Sequence, residues 1–499
     1  MAAHPRASKK MLTQNLRRLE ADGIVVRNDM SEMVLHVEYD LNHEAREEIC
    51  SLLDHLAHWG RLYVTSRATS PENDVQRSLL TDRVEGAVMF QPGQFDIHSG
   101  FDGNWPEERF SMAVDQERHA RIVGSLADSP FDAVICGSAT EVLLLTGYWP
   151  VMSASVAVFT SDGEVKVIVP EDEVELAEKT TGAEIIPYET AGLHALHPAI
   201  QSLRTPLISV LQQLGASHAK IGLQLEQGVR PASYAVSTQF RSSLLKLLSE
   251  LHPRAEYIAC DEFLEALKAV KTAKELELMQ KAAVVAAAGF APANGLIRPG
   301  LRESEVSAAL QAAFERTQLA ETVQRTSGYF FCMSGPNSAK AAAAYARTRQ
   351  RVLEEGDLVM IHANTCADGY WTDITRTFTV GRPSDRQMTM REAVDEARRA
   401  ALRAIYPGVK AREVDHAARS VMRSHGFGEA FKHATGHGVG FAAANPNGLP
   451  RIHPLSPDVL EAGMTFNIEP AAYFDGYGGM RHCDLVAVNA DGVDTLTKF

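Results

Sequence analysis

The sequence predicts an α+β protein of two or three domains. At 499 residues the chain is longer than one ordinary hydrophobic core accommodates. Between about residues 117 and 261, β-like and helical stretches alternate, which is typical of an α/β domain. The segment 356–380 then contains two stretches of strand character around Ala367-Asp368-Gly369, whose composition favours a turn, so a β-hairpin is expected there.

The composition indicates a soluble globular protein and excludes several classes. With 45% hydrophobic and 22% charged residues and a net charge of −14, the chain as a whole does not suit a surface that coats nucleic acid. No apolar run reaches the roughly 20 residues that span a bilayer, and the N-terminus lacks the apolar region of a signal peptide. The six cysteines are widely spaced, which favours a reducing compartment over a disulfide framework. We therefore expect a cytoplasmic protein without membrane contact.

Residues 1–62 have the order of elements found in a winged helix. The segment Ser8–Gly23 has helical periodicity, Ile24–Arg27 and Val34–Leu41 alternate like strands, and Ala45–Trp59 is again helical. Lys10–Ile24 and the phrase Val37-Glu-Tyr-Asp-Leu41 resemble the HxlR family of bacterial regulators.

That resemblance implies DNA binding, but the family places further helices before this point. The expectation is therefore a truncated unit, and a remnant or a dimerisation surface are the alternatives to DNA binding. Residues 63–114 are mixed in pattern and are expected to form a linker.

Residues 115–261 are predicted to form an α/β domain. The phrase Leu143-Leu-Leu-Thr-Gly-Tyr-Trp149 and the β-like run after it resemble the N-terminal domain of creatinase and aminopeptidase P. In those families this domain reaches over the active site of a neighbouring subunit, so the resemblance implies a homodimer. An ordinary α/β domain without a catalytic role is the alternative.

Residues 262–499 carry several separated motifs in a fixed order. An alanine-rich helix follows Lys271–Met279, and then come Ser334-Gly-Pro-Asn337, the hairpin, a glycine motif around Gly436 and a pair of C-terminal strands. This order resembles the pita-bread fold of aminopeptidase P, prolidase, methionine aminopeptidase and creatinase. The resemblance implies a catalytic domain.

Five residues of this region have side chains that bind divalent metals. The hairpin brings His362 near Asp373, small residues around His437 let the backbone approach a site, and Glu469 ends a strand. The segment Gly478–Val486 is predicted as one strand with Arg481 and Cys483 on one face and His482 on the other. Filling of the core by these residues is the alternative reading.

The resemblance assigns these positions to the metal site of the family, which consists of Asp, Asp, His, Glu and Glu. Asp373 takes the second Asp position, His437 the His position and Glu469 the first Glu position. His362 stands where the family has its first Asp, and Cys483 where it has its last Glu. Since the pair of bridging carboxylates is missing, one divalent ion (Zn, Mn, Fe or Co) is expected rather than two, and an empty site is the alternative.

The histidines that the family uses for substrate binding and proton transfer are also displaced. Tyr345 is the nearest counterpart of one of them, and the position of the other is Ala444, for which His453 is a candidate substitute. Glu469 is the candidate general base. Arg376 is a candidate partner for a substrate carboxylate or a site acid, with a structural salt bridge as its alternative.

The predicted function is that of an atypical Xaa-Pro aminopeptidase or prolidase-like hydrolase that cleaves a C–N bond in a short peptide or small molecule with one divalent metal. Two alternatives stay open. One is a metal-independent amidinohydrolase or lyase like creatinase, because Gly478, Gly479, Arg481 and Asp484 match the Gly-Gly-x-Arg-x-x-Asp pattern of that enzyme. The other is a non-catalytic pocket that acts as the ligand sensor of a transcriptional regulator.

Overall fold

The structure is a computed structural model, and it describes residues 25–29, 37–41, 115–151, 155–190, 198–214, 219–225, 241–317, 323–343, 347–445 and 448–499. Contacts divide the chain into two compact units, residues 1–84 and residues 85–499. The predicted domain boundaries after residues 62, 114 and 261 stay predictions.

In the first unit the structure describes two strands, β1 (Val25–Asp29) and β2 (Val37–Leu41). They pair antiparallel, with Val25 opposite Leu41 and Asp29 opposite Val37. This is the strand pair that the alternating pattern predicts. The predicted helices at residues 8–23 and 45–59 lie outside the described residues.

The second unit begins with a mixed six-stranded sheet in the order β6-β5-β4-β3-β7-β8. Strand β4 pairs antiparallel with β3 and with β5, whereas the outer neighbours pair parallel. The strands are β3 (Ala133–Cys136), β4 (Val156–Thr160), β5 (Val165–Pro170), β6 (Glu184–Tyr188), β7 (Lys220–Leu223) and β8 (Glu256–Ala259). The central strands are buried along their length because helices cover both faces of the sheet.

The helices of this α/β part are mostly short. They are α1 (Gln116–Ala127), α2 (Ala139–Thr146), α3 (Val174–Thr180), α4 (Ala199–Ser202), α5 (Arg204–Gln213), α6 (Arg241–Leu251) and α7 (Asp261–Ala269). Asp115 caps α1 by accepting a hydrogen bond from the Arg118 backbone, and Gly147, at φ +80°, ends α2 in the left-handed conformation. The sequence motif around Tyr148 therefore marks the end of a helix.

The C-terminal part contains two small antiparallel sheets and a two-stranded ribbon. The strands are β9 (Thr326–Ser334), β10 (Leu358–Ala367), β11 (Tyr370–Thr379), β12 (Thr465–Ile468), β13 (Ala471–Phe474), β14 (Gly478–Arg481), β15 (Asp484–Val488) and β16 (Val493–Thr495). Strand β10 pairs with β9 and β11, and β15 pairs with β12 and β16. The predicted hairpin is confirmed as β10–β11, with Asp368 and Gly369 both at positive φ in its turn.

Helices enclose these sheets. They are α8 (Ala273–Phe290), α9 (Ala293–Leu296), α10 (Glu303–Glu315), α11 (Pro336–Ala339), α12 (Asp385–Arg403) and α13 (Ala411–Ser424). One core cluster lies between α8, α10 and the hairpin sheet, and a second lies between α12, α13 and the C-terminal strands. The hairpin is therefore held rigidly from both sides.

The prediction of one continuous strand over Gly478–Val486 is wrong. Strand β14 ends at Arg481 and pairs with β13, whereas β15 starts at Asp484 and pairs with β12. Between them, Cys483 forms an isolated bridge with Thr375 of the hairpin. At this point, where the chain leaves one sheet and enters another, the buried Asp484 pairs with Arg376 of the hairpin.

The hairpin also contacts the α/β part. The Arg118 guanidinium of α1 lies 2.8 Å from the Tyr370 hydroxyl of β11 and 2.7 Å from the Glu275 carboxylate of α8. A Cβ atom at Gly369 would come within 2.4 Å of the Leu143 side chain, so the turn packs closely against α2. These contacts fix the strand that leads to Asp373.

None of the helices in the described ranges is long and apolar enough to cross a membrane. Cys136, Cys260, Cys332, Cys366 and Cys483 are buried free thiols. Cys50 lies outside the described residues.

Candidate active site

The site begins at the hairpin, where the register fixes two of the predicted residues. His362 stands opposite Thr375, and Asp373 stands opposite Asn364, two residue pairs further along. The His362 and Asp373 side chains therefore lie on the same face as diagonal neighbours, with Nδ1 of His362 3.5 Å from Oδ1 of Asp373. The predicted proximity of these two residues is confirmed.

His437 approaches the other oxygen of Asp373, because its Nε2 lies 3.5 Å from Oδ2. A Cβ atom at Gly436 would come within 1.8 Å of the Asn467 carbonyl oxygen, so glycine is required for this close approach of the backbone. The Asn467 side chain accepts a hydrogen bond of 2.7 Å from the His437 backbone, and its amide nitrogen lies 3.2 Å from Nε2. Nδ1 of His437 donates to the Gly438 carbonyl, at 3.2 Å.

Arg481 carries the permanent positive charge of the site. Its Nη2 donates to Nδ1 of His362 at 2.9 Å, and its Nε donates to the Thr375 hydroxyl at 3.0 Å. Its Nη1 lies 3.4 Å from the Tyr473 hydroxyl and 3.7 Å from Oε2 of Glu469. This guanidinium therefore joins the hairpin to the C-terminal strands.

Glu469 and Cys483 are the remaining two of the five predicted ligand residues. The Glu469 backbone donates to the Thr435 carbonyl at 2.8 Å, which aligns the residue with the glycine motif. The Cys483 thiol lies 3.2 Å from the backbone carbonyl oxygen of Asp373 and 3.8 Å from its Oδ1. A carbonyl oxygen accepts hydrogen bonds only, so the sulfur carries its proton and donates.

The two histidines of the site differ in their protonation state. Burial lowers the pKa of His362 to about 4, so its ring is neutral at pH 7. Burial also acts to lower the pKa of His437, but the hydrogen bond with Asp373 and the charges of Glu469 and Asp373 outweigh it and raise the pKa to about 9. Burial raises the pKa of the Cys483 thiol well above its usual range. The site thus contains a neutral histidine, a cationic histidine and a protonated thiol.

The donor set does not fit the metal site that the family implies. Nδ1 of His362 accepts from Arg481, the sulfur of Cys483 is a protonated donor, and no second Asp is available to bridge two ions. Asp373, His437 and Glu469 keep atoms of the right kind, but the cationic His437 ring faces Asp373 at 3.5 Å, and the Glu469 carboxylate lies 3.7 Å from the Arg481 guanidinium. Within the described part of the chain, no three His, Cys, Asp or Glu side chains are grouped so that they could hold a metal ion.

Two further predicted residues do not join the site. All three nitrogens of Arg376 donate to Asp484 or to carbonyl oxygens, including those of Cys483 and Phe499, so the proposed catalytic role is corrected to the structural salt bridge. His453 is exposed, and its ring accepts a hydrogen bond from the Leu455 backbone at 3.1 Å. Tyr345 lies outside the described residues.

The prediction missed two residues that position the others. Asn467 holds His437, and Tyr473 lies between Arg481 and Nε2 of His433, 2.9 Å from the latter. Asn467 precedes Glu469 by two residues, and alternation along a strand places such residues on the same face. That spacing could have indicated that Asn467 faces the site together with Glu469. Tyr473 follows a break between strands, so no spacing in the sequence related it to the site.

The fold and the grouped His, Asp, Glu and Arg side chains define a hydrolase of the pita-bread class. Residues 277–490 match the model of metallopeptidase family M24, and residues 118–270 match that of the creatinase/prolidase N-terminal domain. This chain is therefore similar to the M24 family over residues 277–490. Residues 1–68 match the HxlR-like helix-turn-helix model.

Related proteins agree with this assignment. The Xaa-Pro dipeptidase of Pyrococcus furiosus is 28% identical over 384 residues, which are 77% of this chain and 98% of that protein. The probable dipeptidase PepE of Mycobacterium tuberculosis is 34% identical over 48% of this chain and 62% of its own length. The solved Xaa-Pro dipeptidase from Bacillus anthracis, 27% identical, superimposes with a TM-score of 0.63 over 77% of this chain and 98% of that chain. The predicted class, a prolidase-like hydrolase, is confirmed.

Proposed function

We propose that this protein hydrolyses an amide or imide C–N bond in a dipeptide or a similarly small molecule, at the site formed by Asp373, His437 and Glu469. The observation that carries the proposal is the position of the His437 ring, whose Nε2 faces the Asp373 carboxylate at 3.5 Å. The similarity to Xaa-Pro dipeptidases over most of the chain supports a dipeptide-sized substrate.

The reaction needs a general base, a proton donor and a stabilised oxyanion. Glu469 is proposed to take a proton from water as the water oxygen bonds to the substrate carbonyl carbon. His437 then gives a proton to the nitrogen as the C–N bond breaks, and Asp373 orients the His437 ring. Arg481, beside Glu469, supplies the permanent positive charge of the site.

Kinetics of purified variants on a panel of Xaa-Pro dipeptides and N-acyl amino acids tests this. Asp373→Asn, His437→Ala and Glu469→Gln are each expected to lower kcat/KM by about 10²–10⁴-fold, the usual contribution of a positioned acid or base. The control is His416→Ala, an exposed residue of α13. Turnover by the wild type that all three site variants retain would overturn the assignment.

The predicted cofactor, one divalent ion held by Asp373, His437 and Glu469, stays a prediction for metal analysis of the purified protein. The donor set argues against it, and no step proposed here passes through a metal. A homodimer and a cytoplasmic location are likewise expectations, which size-exclusion chromatography with light scattering and cell fractionation test.

DNA binding by the N-terminal unit is a second candidate function. It rests on the match of residues 1–68 to an HxlR-like helix-turn-helix and on the antiparallel pair β1–β2. Gel-shift titration of the intact chain at moderate salt tests it, with Arg17→Ala/Arg18→Ala as the variant. Absence of a shift with the intact chain removes this function.

A further inference from the structure

We propose that the site of the hydrolase works without a resident metal ion, and that the Arg481 guanidinium, held by His362, provides its cation. The inference deepens the proposed function and rests on it for the assignment of the site. It is carried by the hydrogen bonds of two residues, His362 and Cys483, that replace acidic ligands of the family pattern.

The contact between Arg481 and His362 assigns the tautomer of the histidine. A guanidinium only donates hydrogen bonds and stays charged at any accessible pH, so Nδ1 of His362, 2.9 Å from Nη2, is the acceptor. The proton of the neutral ring is then on Nε2, and the Thr375 hydroxyl lies 3.0 Å from the same Nδ1. A histidine ligates a metal through an unprotonated nitrogen, and here the single unprotonated nitrogen is already used.

A metal ion at this histidine would also be repelled. A divalent ion bound about 2 Å from Nδ1 would lie within about 5 Å of the Arg481 nitrogen, in a site where both side chains are largely shielded from water. Arg481 cannot turn away without losing its hydrogen bonds to Thr375 and His362. The guanidinium thus excludes a second cation from the His362 side of the site.

Cys483 is the second replaced position, and it contacts Asp373 as well. Its sulfur faces the carbonyl oxygen of Asp373 at 3.2 Å and the carboxylate oxygen Oδ1 at 3.8 Å, and both atoms are acceptors. The thiol therefore donates a proton, whereas a metal ligand must be a thiolate. A metal would have to displace this proton beside a carboxylate, at a side chain with no exposed surface.

The permanent charges are consistent with a site that needs no added ion. Asp373 and Glu469 supply two negative charges, and Arg481 offsets one of them at a distance of 3.7 Å from Glu469. In the family pattern the four carboxylates instead call for two divalent ions. Replacement of two carboxylates by His362 and Cys483 removes the charge that would attract the metal.

Metal binding without any substrate tests the proposal, so its outcome can be told apart from a failure of the proposed hydrolysis. The metal-free protein is titrated with Mn²⁺ and with Co²⁺ in a calorimeter. Three proteins are compared: the wild type, the double variant His362→Asp/Cys483→Glu and the control His416→Asp. The control adds a carboxylate on the exposed face of α13. The wild type and the control are expected to show no saturable site. The double variant should give a saturable isotherm, with an affinity at least about 100-fold above the upper limit that the titration sets for the wild type.

Two results would overturn the proposal. One is a stoichiometric wild-type site that Asp373→Asn and His437→Ala abolish. The other is a folded double variant, checked by circular dichroism, that binds no better than the control, because the two replacements would then not explain the loss of metal. If the double variant does not fold, Cys483→Glu and His362→Asp are titrated singly, and each is expected to bind more tightly than the wild type; equal binding would overturn the proposal.

Discussion

The Arg376 guanidinium and the Asp484 carboxylate form a buried ion pair, with Nη2 2.8 Å from Oδ1. Arg398 of α12 donates to the second carboxylate oxygen, so Asp484 joins the hairpin strand β11 to a helix of the outer layer. Burial alone would raise the pKa of Asp484, but His482, Arg376 and Arg398 lower it well below its usual range. This pair explains why Arg376 belongs to the framework and not to the chemistry.

Asp484→Asn is expected to destabilise the protein strongly. The substitution leaves two arginines next to a neutral amide, and breaking one partner of a buried ion pair costs about 3–5 kcal/mol. Urea denaturation followed by circular dichroism measures the loss. The control is Glu175→Gln, which breaks an exposed pair with Lys179 and should leave the midpoint unchanged; equal midpoints for the two variants would contradict the assignment.

Lys271 predicts a dependence of stability on pH. The side chain is 4% exposed, its Nζ donates to the Lys268 and Ala269 carbonyls, and burial lowers its pKa from 10.5 to about 8. Between these two values the unfolded chain binds the proton more tightly than the folded protein, so this group makes the protein more stable as the pH rises from about 8 to 10.5.

The matched comparison is with Lys271→Met, which cannot titrate. The free energy of unfolding of the wild type minus that of the variant is expected to rise by about 3 kcal/mol between pH 7.5 and 10.5, since one pKa unit corresponds to 1.36 kcal/mol. Urea denaturation at several pH values measures the difference. A difference that is constant with pH would show that folding does not lower the pKa of Lys271.

The sequence predicted the hairpin because its signal is local. The turn residues Asp368 and Gly369 adopt the positive φ values that their types tolerate, and the register follows from the turn, so the proximity of His362 and Asp373 could be foreseen. The four separated motifs that meet at the site were found because they occur in a known order, not because their contacts can be derived from the residues.

The errors concern contacts between distant segments. Nothing near Arg376 in the sequence reveals that its partner is Asp484, 108 residues away, and nothing near Cys483 reveals the bridge to Thr375 that ends the strand. Both strand continuity and salt-bridge partners depend on tertiary packing, which alternation of side chains does not encode. The contact between His362 and Arg481, which bears on the prediction of His362 as a metal ligand, likewise joins residues 119 positions apart.

Asn467 is expected to control the orientation of His437, and its replacement should affect turnover more than stability. The buried side chain accepts from the His437 backbone at 2.7 Å and places its amide 3.2 Å from Nε2. Asn467→Ala frees the ring and should lower kcat about 10–100-fold, the loss typical of a residue that orients a catalytic group, with a smaller change in KM. The control is Asn489→Ala, since the Asn489 side chain donates to exposed Asp494 and accepts from the Asp491 backbone, and neither partner belongs to the site. Steady-state kinetics with the substrate found by the dipeptide panel, together with thermal melting of both variants, makes the comparison. An unchanged kcat in a folded Asn467→Ala protein would mean that the glycine motif alone holds His437 in place.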